Sequence, residues 1–162
     1  MDEEKFNVFV YGTLKTDFPN HYLMKDHDGK LSKLVKSGKT LNKFPLVVAS
    51  FCRIPFLLNS PGVGNHVEGE VYSVNRKMLQ FLDEFEGHPQ LYTRSSIEIQ
   101  LDEPLDSGKK VLSCGCYMLN NFKDELLENQ FLVCYKVGDS KSYIEEYDNS
   151  DAEEEIIKSV KQ

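Results

Sequence analysis

The stretch Phe6-Asn7-Val8-Phe9-Val10-Tyr11-Gly12-Thr13-Leu14 begins as an apolar strand and ends at a glycine. Its β-branched and aromatic residues favour a strand that is buried on at least one face. Because Gly12 has no side chain, the main chain there can turn with a positive φ or let another group approach closely. The backbone amides of Gly12, Thr13 and Leu14 could then converge on an anion. The stretch therefore predicts a buried strand followed by an anion-binding loop.

The composition indicates a single globular domain. The chain has 162 residues and a mean hydropathy of −0.43, and no apolar run approaches the ~20 residues of a membrane-spanning helix. Its net charge of −7 argues against a nucleic-acid partner, which requires a basic face. The acidic N-terminus, Met1 to Lys5, has the pattern of neither a secretory signal nor a mitochondrial presequence. We expect a cytoplasmic monomer with no nucleic-acid or membrane partner.

The acidic charge is concentrated at the C-terminus. Residues 139–162 carry eight acidic and three basic side chains, so their net charge of −5 leaves −2 on residues 1–138. We therefore expect a domain over 1–138 and an acidic, partly disordered tail over 139–162. Within the tail, Glu153 to Val160 could form a short amphipathic helix. The tail could close over a pocket, bind a partner or only keep the protein soluble, and the last is the default interpretation.

The cysteine spacing argues against a metal site. Cys52, Cys114, Cys116 and Cys134 contain one Cys-x-Cys and no Cys-x-x-Cys pair of the kind that binds zinc. Cys114 and Cys116 fall in a predicted strand, where a period of two places both on one face. We interpret them as buried free thiols, and no metal is expected.

Alternating and continuous apolar patterns predict further strands over residues 31–37, 45–49, 54–58, 67–74, 96–101 and 111–119, the last two as a hairpin. Gly38 is expected to end the first of these, and the run at 45–49 is typical of a central strand. Pro55 demotes its strand to an edge or a pocket lining, because proline lacks a backbone donor. Gly69 indicates a bulge or a close backbone approach.

One helix is clearly predicted, from Arg76 to about Glu86. Asn75 is a good N-cap, and Gly87 and Pro89 stop the helix. On a helical wheel its apolar residues form one stripe, made of Met78, Leu79, Phe81, Leu82 and Phe85.

The three acids at the end of this helix are not equivalent. Glu86 lies at the margin of the apolar stripe, whereas Asp83 and Glu84 fall outside it and are expected to be solvated. Burial and the negative end of the helix dipole would both raise the pKa of Glu86, as a general base near neutral pH requires. Alternatively, fraying at Gly87 lets Glu86 swing into water.

Taken in order, three motifs resemble the gamma-glutamylcyclotransferase-like family. They are Tyr11-Gly12-Thr13-Leu14, Glu68-Gly69-Glu70-Val71-Tyr72, and Leu82-Asp83-Glu84-Phe85-Glu86 followed by Tyr92-Thr93-Arg94. The gamma-glutamylaminecyclotransferase (AIG2-like) branch is indicated by Lys15, Pro19-Asn20-His21, Pro45-Leu46-Val47 and Ile54 to Leu58. The resemblance covers roughly Phe6 to Leu119.

The resemblance implies an α+β fold, a small mixed β-barrel with flanking helices. It also implies that the glutamyl part of the substrate sits against the loop Tyr11 to Leu14 and that Glu86 is the catalytic acid/base. In the implied reaction the substrate's own α-amine attacks its γ-amide carbonyl, which closes 5-oxoproline and expels an amine. This reaction needs no cofactor. Its substrates are γ-glutamylamines, with γ-glutamyl amino acids or non-catalytic binding by the same fold as alternatives.

Other candidates have ordinary structural explanations. Tyr11 and Tyr92 could line the pocket, but each could equally be a packing residue with a bonded hydroxyl. Ile54 and Pro55 form a plausible wall for the leaving group, although core packing explains them as well. A structural ion pair with Asp83 is expected for Arg94, and His21 is expected to be a hydrogen-bonded loop residue.

Overall fold

Seven strands and two helices make up the part of the chain that the computed structural model describes, which is residues 4–49, 54–136 and 150–161. The strands are β1 Lys5–Val10, β2 Ser32–Thr40, β3 Leu46–Ala49, β4 Ile54–Leu57, β5 Glu68–Asn75, β6 Thr93–Leu101 and β7 Val111–Met118. The helices are α1 Arg76–Phe85 and α2 Ser150–Val160. Short 3-10 turns lie at His21–Met24 and Asp124–Glu128. None of the described helices is both long and apolar enough to cross a bilayer.

Five strands close a barrel in the order β1-β5-β2-β6-β7. The neighbours pair antiparallel except at the closure, where β1 runs parallel to β7 with Phe9 beside Cys116. Antiparallel and parallel pairing in one closed sheet confirms the predicted α+β fold with a mixed barrel. Closure leaves no barrel strand with a free edge, which removes the usual template for aggregation.

The strand at β3 is buried but not central. It pairs with β4 in a separate two-stranded sheet in which Val48 lies opposite Pro55, and a single bridge joins Leu46 to Leu132. Leu46 packs into the apolar cluster inside the barrel, whereas Val47 packs into the cluster under α1. The prediction of a central strand was therefore wrong, because a continuous apolar run reports burial on both faces and not a place within a sheet. The prediction of an edge strand at β4 is confirmed.

Two glycines allow the barrel strands to approach each other. Gly38 does not end its strand: β2 continues to Thr40, and a Cβ at position 38 would lie 2.7 Å from the carbonyl oxygen of Gln100. At Gly69 a Cβ would lie 2.4 Å from the carbonyl oxygen of Val10, so the predicted close approach is confirmed. Gly38 was predicted to end its strand because glycine is unfavourable in strands. The strand continues there, and a glycine is required because the backbone of β6 occupies the space that a side chain would need.

The predicted helix and its cap are confirmed. The Asn75 side chain accepts a hydrogen bond from the Met78 amide at 3.0 Å, which satisfies one of the free donors of the first turn. Within the predicted stripe Met78, Leu79 and Leu82 are buried, but Phe85 is 41% exposed.

The buried thiols are also where the pattern predicted them. Cys114 and Cys116 both face the barrel interior, and burial raises the pKa of Cys114 to about 12. Cys134 is partly buried, and Cys52 lies outside the described residues. Among the residues that the structure describes, no three His, Cys, Asp or Glu side chains are grouped to hold a metal ion.

The C-terminal helix packs on the domain. The amphipathic helix predicted at Glu153 to Val160 is confirmed as part of α2, and Ile156 and Val160 are buried in the cluster that also contains α1. The Lys123 amide donates to the Val160 carbonyl at 2.8 Å, and Lys161 Nζ donates to the Asn120 carbonyl at 2.7 Å. A role in solubility alone does not account for this packing. The boundary at 138 and the disorder expected after it concern residues 137–149, which lie outside the described residues.

Candidate active site

A pocket of about 310 Å³ opens beside the ends of β1 and α1, next to β4 and α2. It is lined by all eight residues selected from the sequence, namely Tyr11, Gly12, Thr13, Leu14, Ile54, Pro55, Glu86 and Tyr92. These residues come from three distant parts of the chain, so the fold brings them together. Their individual roles remain a prediction.

The loop after β1 lines this pocket and contains three backbone amides that have no hydrogen-bond partner among the described residues. Asn20 holds Thr13 by two hydrogen bonds of 2.9 Å, from its amide to the Thr13 carbonyl and from Nδ2 to Thr13 Oγ1. The Lys15 amide donates to the Gly12 carbonyl at 3.1 Å. By contrast, the amides of Gly12, Thr13 and Leu14 donate to no other residue in the described ranges. Three donors are thus available to an anionic or carbonyl oxygen of a ligand.

The need for a glycine at position 12 comes from the neighbouring side chain of Pro55 and not from the backbone angle of Gly12. Its φ is not positive, so of the two predicted alternatives the close approach of another group is the one that applies. A Cβ at this position would lie 2.7 Å from Pro55 Cγ, which means that the proline ring occupies the space of the missing side chain. The loop and β4 are therefore fitted together at the pocket wall.

Glu86 carries a carboxylate that has no partner among the described residues. It caps the C-terminus of α1 with helical angles, and its amide donates to the Leu82 carbonyl at 2.9 Å, so the helix does not fray there. Its carboxylate lines the pocket, and within the described part of the chain no side chain pairs with it. The residue is partly exposed and lines the pocket, and burial raises the pKa of Glu86 to about 8.

The two predicted tyrosines both line the pocket and pack. Tyr11 Oη donates to the Tyr117 carbonyl at 2.6 Å and accepts from the Leu57 amide at 3.3 Å. Tyr92 Oη donates to the Pro55 carbonyl at 2.8 Å. Burial, with smaller contributions from the charges of Cys116 and Glu86, raises the pKa of Tyr11 well above its usual range. Tyr11 is therefore suited to shaping the pocket and not to moving protons near neutral pH.

Asp83 is bonded and not simply solvated, which corrects the expectation from the helical wheel. Arg94 Nε donates to Asp83 Oδ1 at 2.8 Å, which confirms the expected ion pair, and Tyr117 Oη donates to the same oxygen at 2.6 Å. Burial alone would raise the pKa of Asp83, but these two partners hold it below its usual value. Glu84 is exposed, as expected.

Tyr117 is a pocket residue that was not selected from the sequence, although the alternation of its strand indicates its position. Tyr117 lines the pocket and follows Cys116 in β7, so a period of two places it on the outer face of the barrel, toward α1. The remaining lining residues have no such signal, and they are Phe9, Val10, Asn20, Tyr22, Phe85, Gly87, Leu91 and Ile156. His21 does not line the pocket and bonds the Leu14 carbonyl through Nδ1 at 3.0 Å, as expected of a loop residue.

Comparison with known proteins identifies the family. The model of the family described as gamma-glutamyl cyclotransferase, AIG2-like, matches residues 8–136. The chain belongs to this family. Its members include a gamma-glutamylaminecyclotransferase of Homo sapiens that is 49% identical over 124 residues, covering 73% of this chain and 81% of the relative. A putative gamma-glutamylcyclotransferase of Drosophila melanogaster is 40% identical over 138 residues, covering 85% of each chain.

The structural comparison agrees. A crystal structure of an AIG2-like protein from Mus musculus superposes with a TM-score of 0.83 at 36% identity, covering 90% of this chain and 99% of that one. The fold and the family indicated by the three motifs are thereby confirmed. Since relatives at this level of identity are named as cyclotransferases, the chain is an enzyme of that type.

Proposed function

We propose that this cyclotransferase releases 5-oxoproline and a free amine from γ-glutamylamines such as γ-glutamyl-ε-lysine. The observation that carries the proposal is the position of Glu86, a carboxylate with a pKa of about 8, in the same pocket as the three unused amides of the loop Gly12 to Leu14. The name of the human relative supports the choice of an amine as leaving group.

In the proposed reaction the nucleophile belongs to the substrate. Glu86 takes a proton from the α-ammonium group, and the freed nitrogen attacks the γ-carbonyl carbon to form the new C–N bond of the lactam. Glu86 then returns its proton to the leaving nitrogen as the old C–N bond breaks. The second proton lost by the ring nitrogen ends on the released amine. The loop amides hold the substrate carboxylate or the oxyanion that forms at the γ-carbonyl.

The charge in the pocket matches such a substrate. Glu86 is the only charged side chain among the described residues that line it. A bound α-ammonium group would supply the missing positive charge and favour the carboxylate form of Glu86 before proton transfer. Burial acts in the opposite direction and favours the neutral acid, so Glu86 is a stronger base toward that proton than a solvated carboxylate would be.

The same charge argument favours amines over amino acids as leaving groups. In a γ-glutamyl amino acid, a carboxylate sits on the carbon attached to the leaving nitrogen, so it would lie beside Glu86 in a poorly hydrated pocket. Like charges in such a pocket repel strongly, and no described lining residue is cationic. In γ-glutamyl-ε-lysine, the lysine carboxylate lies at the far end of an alkyl chain, away from Glu86.

A comparison of three substrates tests this function. We expect 5-oxoproline release from γ-glutamyl-ε-lysine to exceed release from γ-glutamyl-alanine and glutathione by at least about tenfold in kcat/KM, the usual effect of a misplaced buried charge. Chromatographic measurement of 5-oxoproline gives all three rates. Faster release from γ-glutamyl-alanine would favour a γ-glutamyl amino acid cyclotransferase. Release from none of them would favour a non-catalytic binding protein of this fold.

The partners, the cofactor requirement and the oligomeric state belong to the same proposal. The net charge of −7 supports an enzyme without a nucleic-acid partner. The chemistry requires no cofactor, and one chain supplies both the base and the donors, which supports function as a monomer.

A further inference from the structure

One wall of the pocket comes from outside the region that the family model matches. Ile156 on α2 lines the pocket, whereas every other described lining residue falls within residues 8–136. The Ile156 residue is 1% exposed, so it is firmly packed and not a passing contact. The helix therefore adds a side chain to a site whose other parts lie in the family core.

Apolar residues of α2 and β4 belong to one buried cluster, which contains both Ile156 and Ile54. The C-terminal end of α2 bonds the segment that follows β7, through the Lys123 amide and the Val160 carbonyl at 2.8 Å. The start of that segment is bonded in turn to the end of β4, since the Leu119 amide donates to the Leu57 carbonyl at 2.9 Å. Ile156 and Ile54 both line the pocket, so α2 and β4 each contribute an apolar side chain to its wall.

The chemistry of Ile156 restricts what it can contact. Its side chain has no polar atom, so it cannot satisfy the ammonium or carboxylate of the glutamyl group. The part of a γ-glutamylamine that benefits from an apolar wall is the hydrocarbon of the leaving amine. We propose that Ile156 is a specificity-determining residue of the leaving-amine subsite, where it favours amines with an extended alkyl chain. This inference rests on the proposed function.

A pair of substrates isolates the leaving group from the rest of the reaction. γ-Glutamyl-n-butylamine and γ-glutamyl-methylamine share the glutamyl group and differ only in the hydrocarbon that would reach Ile156. We expect Ile156→Ala to lower the ratio of kcat/KM for butylamine over methylamine by roughly tenfold, the effect of one or two methylenes in an apolar pocket. Ile156→Val should lower it by less, and the value for methylamine should change by less than about twofold.

Val160→Ala is the matched control. Val160 lies one turn further along the same face of α2 and is fully buried, but it does not line the pocket. The proposal is supported if the butylamine-to-methylamine ratio falls in Ile156→Val and falls further in Ile156→Ala. The ratio in Val160→Ala should stay at the wild-type value. An unchanged ratio in Ile156→Ala, or an equal fall in Val160→Ala, would overturn it. If the wild type releases 5-oxoproline from neither substrate, the proposed function fails instead.

Discussion

At the scale of single residues, the end of α1 carries three acids with three different environments. Asp83 is bonded by Arg94 and Tyr117, which hold its pKa below the usual value, and Glu84 is exposed to solvent. Glu86 has no partner among the described residues, and burial raises its pKa to about 8. Asp83 and Glu86 differ in direction by only a few tens of degrees around the helix axis. That difference gives Asp83 a structural ion pair and leaves Glu86 as the proposed base.

The raised pKa of Glu86 predicts a pH-dependent loss of stability. The folded state holds the proton up to about pH 8, whereas the unfolded chain releases it near 4.5. Since the folded state binds more protons in this window, the contribution of Glu86 is fully present below pH 4.5 and is lost as the pH rises toward 8. We expect Glu86→Gln to gain stability relative to the wild type across this window, by at most about 1.4 kcal/mol per pH unit.

Urea unfolding of both proteins between pH 4.5 and 9 measures this difference, because other titrating groups are common to the two. Glu84→Gln is the control and should follow the wild type at every pH. A difference between wild type and Glu86→Gln that does not change with pH would contradict the raised pKa.

At the scale of the element, α1 holds Glu86 in place and Asn75 holds α1. Asn75 Oδ1 accepts from the amides of Met78 and Leu31, each at 3.0 Å, and Nδ2 donates to the Gly29 carbonyl at 2.9 Å. One side chain therefore caps the helix and fastens it to the turn before β2.

We expect Asn75→Ala to lower the free energy of unfolding by about 1–2 kcal/mol, the usual cost of losing an N-cap. Asn75→Asp should cost less, because its carboxylate keeps the accepted bonds and suits the positive end of the helix. Thermal or urea unfolding measures both. Turnover of the folded variants should stay near that of the wild type, since Asn75 lies at the opposite end of α1 from Glu86. Equal stability of Asn75→Ala and wild type would show that the cap does not hold the helix.

At the scale of the whole molecule, local patterns predicted the elements better than their arrangement. Period-two alternation and the Asn75 cap placed β5 and α1 correctly, because burial on one face leaves a local signature. The parallel closure of β1 on β7 has no such signature, and the family resemblance implied a mixed barrel without saying which strands pair. The prediction at Gly38 was wrong because a glycine is required there by the backbone of Gln100, which is far along the chain.

The same limit applies to the site. Glu86 was found from the wheel of its own helix, and the loop at Gly12 from the end of its own strand. Pro55 as the neighbour of Gly12, and Ile156 as a pocket wall, depend on contacts between distant segments. The pattern of the C-terminal stretch predicted an amphipathic helix, but it did not indicate which part of the domain Ile156 and Val160 pack against.

The central claim is that Glu86 transfers the proton in a pocket that binds a γ-glutamylamine. The most direct measurement is the rate of 5-oxoproline release from γ-glutamyl-ε-lysine by the wild type, Glu86→Gln and the control Glu84→Gln, each verified as folded. We predict that Glu86→Gln lowers kcat by ~10²- to 10⁴-fold, the range for loss of a general acid/base, and that Glu84→Gln retains wild-type turnover. Full turnover by Glu86→Gln would contradict the account.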